Sequence, residues 1–381
     1  MSAVATRRAW AELLRLPALF TVPGDALAGA AATGLRPNHR TLLAIGSSLC
    51  LYEAGMALND WADRAEDAVE RPERPLPSGR IAPPAALTAA TALTAAGLAL
   101  ASRAGRPSLA VAGALAGTVW AYDLALKHTP AGPAAMATAR GLDLLLGATA
   151  TAGPDHDHDP RSRATAAAPS AAALAAHTLA VTVVSRREAQ GGSSTAPLAA
   201  LATTAALTRL VGAGTTRRPS VGGDGDVDDG GFGWRRRGRS APGESASRGS
   251  ASRGSASRGS ASTGSASRGS ASGLAPESGP ALRTATPERG PAPRTATPDT
   301  AHRALRGALA LAYAGTAARP LFHAALNPSP PLTQRAVGGG IRAMIPLQAA
   351  LAARTGAPVT ALLTAALAPA ARRFARKVSV T

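Results

Sequence analysis

Long apolar stretches separated by short polar connections recur along almost the whole chain. They lie at 16–34, 41–58, 85–103, 108–126, 134–152, 171–184, 196–214, 304–325, 336–353 and 359–371. Most of them approach the ~20 residues that an α-helix needs to cross the hydrocarbon core of a bilayer. Because lipid cannot satisfy exposed backbone groups, such stretches are expected to be helical. No stretch alternates apolar and polar residues with a period of two, which argues against a barrel.

The pattern therefore predicts an all-α, polytopic membrane helical bundle of about nine transmembrane helices, or ten if the short final stretch crosses completely. Composition agrees with this, since the chain has only four Phe, four Trp and three Tyr, and small residues supply much of its apolar surface. Small residues let helix backbones approach closely in lipid. A soluble, alanine-rich helical bundle is the alternative that the pattern leaves open.

The segment 215–300 departs from this pattern. It contains repeated Ser-Ala-Ser-Arg-Gly units and buries too little apolar surface to offset the conformational entropy lost on folding. We therefore expect membrane helices in 1–214, a disordered insert in 215–300, and further membrane helices with a basic tail in 301–381. The insert could also tether the chain to a polyanion or to lipid head groups.

The formal net charge of +18 invites a nucleic-acid interpretation. No helix-turn-helix, zinc-finger or RNA-binding motif is present, so no nucleic-acid partner is expected. Cys50 is the single cysteine, which excludes an internal disulfide and a cysteine-based metal site. A small bias of basic residues among the connections favours a cytoplasmic amino terminus. We expect a multi-pass protein of the plasma membrane, with its polar site on the cytoplasmic side.

Charged residues cluster directly after the second apolar stretch. Four polar residues recur there at intervals of three or four, namely Asn59, Asp60, Asp63 and Asp67. On one continuous helix they would share a face, and their carboxylates would repel one another unless a cation lay between them. Mg²⁺ takes oxygen ligands, including carboxylates together with substrate phosphates. A solvated, salt-bridged helix end is the simpler alternative, but charges at the end of an apolar span are costly and usually functional.

Three arginines follow the acidic residues, namely Arg71, Arg74 and Arg80. Prolines between them would end the helix and stiffen the connection. The planar guanidinium group pairs well with phosphate oxygens. Carboxylates followed by arginines therefore predict a site that holds a diphosphate through a metal on one side and through guanidinium groups on the other.

The segment Asn59-Asp60-x-x-Asp63-x-x-x-Asp67, followed by Arg71-Pro72-x-Arg74-Pro75-Leu76-x-Ser78-Gly79-Arg80-Ile81, resembles the first aspartate-rich motif of the UbiA-type intramembrane prenyltransferases. The resemblance implies Mg²⁺-dependent transfer of an isoprenyl group from its diphosphate to a second substrate. It implies catalytic Mg²⁺ ligands at Asp60, Asp63 and Asp67, and diphosphate contacts at Asn59, Arg71, Arg74 and Arg80. The acceptor stays open among aromatic quinone precursors, tetrapyrroles, glycerol phosphates and sugar phosphates.

Later stretches carry further candidates near the same side of the membrane. Lys127 could contact phosphate as a point charge, or only mark the membrane interface. Related prenyltransferases have a Tyr followed by a basic residue in a similar place, which favours phosphate binding and makes Tyr122 and Asp123 candidate pocket residues. Arg140 and Asp143 lie three residues apart inside an apolar stretch, as either a structural ion pair or a wall of the pocket.

The connection after the sixth stretch departs from the family pattern. A second aspartate-rich motif is usual there, whereas this chain has Ser185-Arg186-Arg187-Glu188. Only Glu188 could supply a carboxylate, while Arg186 could replace the charge of a metal at the diphosphate. Two other classes therefore stay open. One is a catalytically degenerate membrane protein of the same fold that acts in lipid binding or assembly, and the other is an enzyme like the CDP-alcohol phosphotransferases, whose Asp-Gly…Ala-Arg pattern is absent.

Overall fold

The computed structural model describes residues 3–153, 160–186, 193–213 and 298–378, and within these ranges it contains helices and no strand. The α-helices are α1 Ala3–Leu13, α2 Val22–Ala32, α3 His39–Ala62, α4 Arg64–Glu70, α5 Pro83–Ala104, α6 Arg106–Ala121, α7 Gly132–Ala152, α8 Pro160–Ser185, α9 Thr195–Gly212, α10 Pro298–Leu326, α11 Pro330–Arg354 and α12 Pro358–Val378. A 3₁₀ segment, Leu16–Thr21, precedes α2, and a π-helical turn, Tyr122–Leu126, extends α6. The predicted all-α class is confirmed.

Five helices in the described part of the chain are long and apolar enough to cross a membrane. They are α3, α5, α6 with its π-helical turn, the part of α8 from Ala164 onward, and α11. Each predicted apolar stretch coincides with helical structure, but the count of nine or ten crossings stays a prediction. The stretch 16–34 is not one helix, because prolines begin both the 3₁₀ segment and α2 and so interrupt it.

Small residues form the closest helix contacts, as the composition predicts. Gly29 of α2 lies against the carbonyl oxygen of Leu144, and Gly147 of α7 lies against the backbone of Ala26, with no room for a Cβ atom at either glycine. The most extensive helix pairs are α3 with α5, α7 with α8, and α10 with α11. Close backbone approach of this kind maximises van der Waals contact where water does not drive association.

Three hydrogen bonds join helix ends on one side of the bundle. Asn59, near the end of α3, donates a hydrogen bond from Nδ2 to Oδ1 of Asp123, at the end of α6, over 3.1 Å. Arg186, after α8, donates to the backbone carbonyls of Thr129 and His128 in the connection that leads into α7. The ends of α3, α6 and α8 and the start of α7 therefore lie on one side of the molecule.

Helix α1 packs on this same side, against the connection that follows α4. Its Ala9 and Leu13 are fully buried and share an apolar cluster with Leu58, Leu76 and Ile81. The connection that carries the predicted arginines is therefore held between α1 and the end of α3 rather than extending freely into solvent.

Candidate functional site

The helix that carries the first two residues of the acidic motif ends before the third. Helix α3 ends at Ala62, and Asp63 lies at the boundary with α4, with φ −85° and ψ 1°. The side chain of Asp63 makes no capping hydrogen bond at this boundary. The expectation of one continuous helix is therefore wrong, although the backbone N–H groups of Asp63 and Asp67 still donate to the carbonyls four residues earlier, over 2.9 and 2.8 Å.

Asp60 and Asp67 are buried and converge on a single guanidinium group. Nη1 of Arg74 lies 2.6 Å from Oδ2 of Asp67 and 3.7 Å from Oδ1 of Asp60. Arg15 adds a second cation to Asp60 at 3.1 Å, and Arg71 adds one to Asp67 at 3.7 Å. We call these five residues the aspartate–arginine cluster. Its two carboxylates are close enough together to share one positive charge.

Asp63 faces a different set of side chains. Its carboxylate pairs with the ammonium group of Lys127 and lies 4.0 Å from Nε2 of His128. The possible ligand atoms of Asp63, Glu66 and His128 all lie within 4.8 Å of one another. The structure thus places Lys127 beside the acidic motif, and it adds two oxygen or nitrogen ligands, Glu66 and His128, that the sequence interpretation did not include.

The three predicted arginines do not share one environment. Arg71 and Arg74 contact the aspartates, whereas Arg80 makes a two-point pair with Glu12 of α1, with N–O distances of 2.6 and 3.0 Å. The hydrogen bond to Glu12 raises the pKa of Arg80. The structure therefore brings two of the three arginines to the acidic motif and uses the third to hold α1.

The π-helical turn at Tyr122–Leu126 follows α6 and carries Tyr122 and Asp123, two candidate pocket residues. The backbone N–H of Lys127 donates to the carbonyl of Tyr122 over 2.9 Å, the five-residue spacing of a π-helix. Asp123 is buried and accepts its hydrogen bond from Asn59, not from Lys127. Such turns insert an extra residue into a helix and occur frequently at functional sites.

A cavity of about 280 Å³ lies beside the aspartate–arginine cluster. Arg15, Asn59, Tyr122 and Asp123 line it near the cluster, and its middle is formed by apolar residues, among them Leu51, Met56, Leu115, Val119 and Met136. Tyr52, Arg140 and Asp143 also line it. Because Asn59 and Tyr52 are seven residues apart on α3, the two polar regions are separated by about 10 Å along the helix axis. We call the region of Tyr52, Arg140 and Asp143 the cavity floor.

A buried ionic network supports the cavity floor. Arg140 pairs with Asp25 of α2 and lies 3.9 Å from Asp143, which also accepts a hydrogen bond from Ser48 of α3. Gln348 of α11 donates to Oδ1 of Asp25 over 2.6 Å. Both interpretations of Arg140 and Asp143 therefore apply together, since the network ties four helices and also lines the cavity.

The region predicted to replace the second acidic motif is described only in part. Ser185 ends α8, and Arg186 is exposed and holds the connection before α7 through backbone carbonyls. Arg187 and Glu188 lie outside the described residues, as does most of the segment 215–300. The role suggested for Glu188 and the disorder of the insert therefore stay predictions.

Several residues at the site were missed by the sequence interpretation. Glu66 and His128 carry a usable signal, because Glu66 falls three residues after Asp63 and His128 directly follows Lys127. Arg15 and Asp25 carry none, since each reaches its partner across a long stretch of sequence. Their roles depend on how the helices pack.

Comparison with known proteins identifies relatives. The sequence profile of the UbiA prenyltransferase family matches residues 18–216, more than half of the chain. The digeranylgeranylglyceryl phosphate synthase of Methanothrix thermoacetophila is 38% identical over 143 residues, 36% of this chain and 53% of that protein. The protein of the same name from Methanopyrus kandleri is 36% identical over 128 residues, 32% of this chain and 45% of that protein. The chain thus spans about half the length of the curated relatives it matches.

Among solved structures, the apo structure of a UbiA homologue from Aeropyrum pernix K1 is 20% identical, with a TM-score of 0.46. The match covers 51% of this chain and 76% of that one.

Proposed function

The chain belongs to the UbiA prenyltransferase family, and we propose that it transfers an isoprenyl group from its diphosphate to a second substrate. The resemblance read from the segment 59–81 is confirmed, and the apolar helices make the chain a multi-pass membrane protein. The observation that supports the proposal most directly is the apolar cavity beside the aspartate–arginine cluster. A charged region next to an apolar one suits a substrate with a diphosphate head and a prenyl tail.

The cluster fits Mg²⁺ by its chemistry and by its convergence. Asp60 and Asp67 offer only oxygen donors, which Mg²⁺ prefers, and both approach the same nitrogen of Arg74, so they are placed to share one cation. Mg²⁺ is general for the family. We propose that Asp60, Asp63 and Asp67 hold it. When bound, the ion stabilises negative charge on the leaving diphosphate.

Basic side chains of the chain would bind the diphosphate itself. Arg71, Arg74 and Lys127 now contact carboxylates, and in the substrate complex they would exchange some of these oxygens for phosphate oxygens. Asn59 stands between this region and the cavity, where its amide can orient the bond that breaks. Arg80 is held by Glu12, and we assign it the positioning of the connection.

The reaction proposed for the cavity is a substitution at the first carbon of the prenyl group. The bond from this carbon to the diphosphate oxygen breaks, and its electron pair leaves with the diphosphate. A nucleophilic atom of the acceptor then forms the new bond and releases its proton, which the departing diphosphate can accept. Cationic side chains near the leaving group favour this charge separation. The apolar cavity walls exclude water, which would otherwise capture the cationic centre.

The cavity floor does not suit the negatively charged part of an acceptor. Arg140 faces two carboxylates, Asp25 and Asp143, so the floor has no spare positive charge and favours a hydrogen-bond donor over an anion. The two archaeal relatives are named for the synthesis of digeranylgeranylglyceryl phosphate. A glyceryl phosphate acceptor is therefore the first candidate, and an aromatic acceptor is the second.

One observation favours the inactive alternative. The carboxylates of Asp60, Asp63 and Asp67 already have basic partners within the chain, so the cluster can stay folded without a metal. A membrane protein that keeps the fold for lipid binding or assembly is therefore the second candidate. The CDP-alcohol phosphotransferase interpretation loses its basis, because the chain belongs to a different family.

Transfer of label tests the proposal. Membranes that contain the protein are incubated with radiolabelled geranylgeranyl diphosphate, with Mg²⁺ or with a chelator, and with a glyceryl phosphate lipid or an aromatic acceptor. We expect a labelled product with wild type and with Glu70→Gln, an exposed carboxylate of the same helix α4, but not with Asp67→Asn. Equal transfer by Asp67→Asn would refute the site, and an absence of both transfer and diphosphate binding would support the inactive alternative. Fractionated cells and a membrane-impermeant arginine reagent test the proposed plasma-membrane location and cytoplasmic site.

A further inference from the structure

Apart from Asp299 in the first turn of α10, the charged residues of the helices that follow the insert are all basic. No Asp or Glu occurs from residue 300 to residue 381, although arginines recur throughout that range. Arginines more than one turn beyond Asp299 therefore have no acidic residue nearby on their own helix. This one-sided charge attracts anions from outside the chain.

Four of these basic side chains line one groove between α10 and α11. Arg319 and His323 come from α10, and Arg335 and Arg342 come from α11. Spacings of four and seven residues place each pair on one face of its helix. The groove has a volume of about 350 Å³. All four side chains belong to exposed residues, and within the described ranges none of them forms an ion pair with a carboxylate.

Arg342 lies in the middle of an apolar helix, where a charged side chain is costly and usually functional. The guanidinium nitrogen Nη1 of Arg342 lies beside Gly338, which is one helical turn earlier in α11. The side chain is therefore directed back along α11, toward Arg335 and the start of the helix. Long basic side chains reach the membrane interface in this way.

The groove lies toward the same side of the molecule as the aspartate–arginine cluster. Helix α8 ends on that side, where Arg186 contacts Thr129. Nε of Arg306, near the start of α10, donates to the carbonyl of Gly212 at the end of α9 over 2.9 Å. Helix α9 leads away from the site and α10 returns to it, so the end of α10 and the start of α11 face the same interface.

We propose that this groove binds the phosphate of an anionic phospholipid from the surrounding leaflet. Guanidinium groups match phosphate oxygens, and basic pockets between membrane helices recognise anionic head groups. Exposed apolar side chains adjoin the basic ones, since Phe322 precedes His323 and Ile341 precedes Arg342. They offer contact to acyl chains, which a soluble anion lacks.

The lipid site is separate from the proposed catalytic site. Its lining shares no residue with the cavity beside the aspartate–arginine cluster. A lipid phosphate between Arg319 and Arg335 would bridge α10 to α11 and would stabilise the folded chain, because a ligand that binds only the folded state shifts the equilibrium toward it. The proposal therefore stands whether or not the chain transfers prenyl groups.

The test compares two variants that lose the same charge. The full chain is placed in nanodiscs of phosphatidylcholine with or without roughly one-fifth phosphatidylglycerol, and retained lipid is counted by native mass spectrometry. The groove variant is Arg319→Gln/Arg335→Gln/Arg342→Gln. The control is Arg303→Gln/Arg372→Gln/Arg373→Gln, with three exposed arginines outside the groove. We expect wild type and control to retain phosphatidylglycerol, and the groove variant to bind it about a hundredfold more weakly.

Two results would overturn the proposal. Equal lipid retention by the groove variant and the control would show only general attraction to a basic protein. Displacement of the lipid by millimolar inorganic phosphate or diphosphate, in wild type, would assign the groove to a soluble anion. If the triple variant does not fold, Arg335→Gln alone gives the same comparison, with an expected loss of about fivefold.

Discussion

Helices α2–α7 and α10–α12 of this molecule use charge in opposite ways. In the first region most aspartates of the site have basic partners. Arg74 lies between Asp60 and Asp67, and Arg140 lies beside Asp25. In the second region all charged side chains after Asp299 are basic, and four basic side chains line an open groove. Paired charges hold helices and a cavity in place, whereas unpaired exposed charges are available to bind molecules outside the chain.

The largest expected difference between the two regions is in stability. Arg140→Met leaves the carboxylate of Asp25 buried without its basic partner, and breaking a buried ion pair in this way costs about 3–5 kcal/mol of unfolding free energy. Arg335→Gln removes the same kind of side chain from an exposed position, so we expect a change within about 0.5 kcal/mol. Reversible unfolding in mixed micelles measures both. Equal losses would erase the distinction between paired and unpaired arginines.

The next largest effect concerns activity in the first region. Asp67→Asn keeps the shape of the side chain but removes a charge that the proposed diphosphate site needs, and we expect label transfer to fall about 100- to 1,000-fold. The matched variant Glu70→Gln, on the same short helix, should retain activity. Initial rates at saturating Mg²⁺ provide the measurement, with thermal unfolding as a check on folding. Similar rates for the two variants would place the metal elsewhere.

Arg74 and Arg80 separate a binding role from a positioning role. Arg74 contacts two site aspartates, while Arg80 pairs with Glu12. We expect Arg74→Gln to lower the transfer rate by about 10- to 100-fold, because a charge-assisted contact contributes about 1.5–3 kcal/mol. The decrease in rate with Arg80→Gln should be several times smaller than the decrease with Arg74→Gln. A larger loss with Arg80→Gln, measured under the same conditions, would show that this side chain reaches the diphosphate after all.

The smallest effect concerns Glu53, a carboxylate of the first region that has no basic partner among the described residues. Glu53 of α3 is buried, and neither of its carboxylate oxygens has a hydrogen-bond partner among the described residues. Glu53→Met should therefore raise the unfolding free energy by about 1 kcal/mol, because it removes an unsatisfied polar group. Thermal unfolding of the purified variant checks the sign. A loss of stability would mean that Glu53 is satisfied by a group outside the described chain.

The helices could be predicted from the sequence because lipid imposes a simple rule. An apolar stretch such as 85–103 has to satisfy its own backbone, and α5 coincides with it. The acidic motif was found by spacing, and the family assignment confirms the resemblance that it carries. Lys127 was placed beside this motif because both lie at helix ends on one side, and the structure pairs it with Asp63.

The parts that could not be predicted depend on contacts between distant residues. Arg140 was expected beside Asp143, but its nearer partner is Asp25, which is 115 positions away in the sequence and on another helix. In the sequence Arg80 looks equivalent to Arg71 and Arg74, but in the structure it pairs with Glu12 of α1. The end of α3 before Asp63 is a local change of backbone conformation, which the spacing of the acidic residues alone does not reveal. The spacing of residues in the sequence indicates which of them share a helix face, but their contacts depend on how the helices pack.

The most direct test of the diphosphate assignment is the binding of a non-reacting thiolo analogue of geranylgeranyl diphosphate to the full chain in nanodiscs. Affinity is measured with Mg²⁺ and with a chelator for wild type, Glu70→Gln and Asp60→Asn/Asp67→Asn. We predict Mg²⁺-dependent binding by the first two proteins and binding at least about tenfold weaker by the double variant. Equal, Mg²⁺-independent binding by all three would contradict a diphosphate site at Asp60 and Asp67.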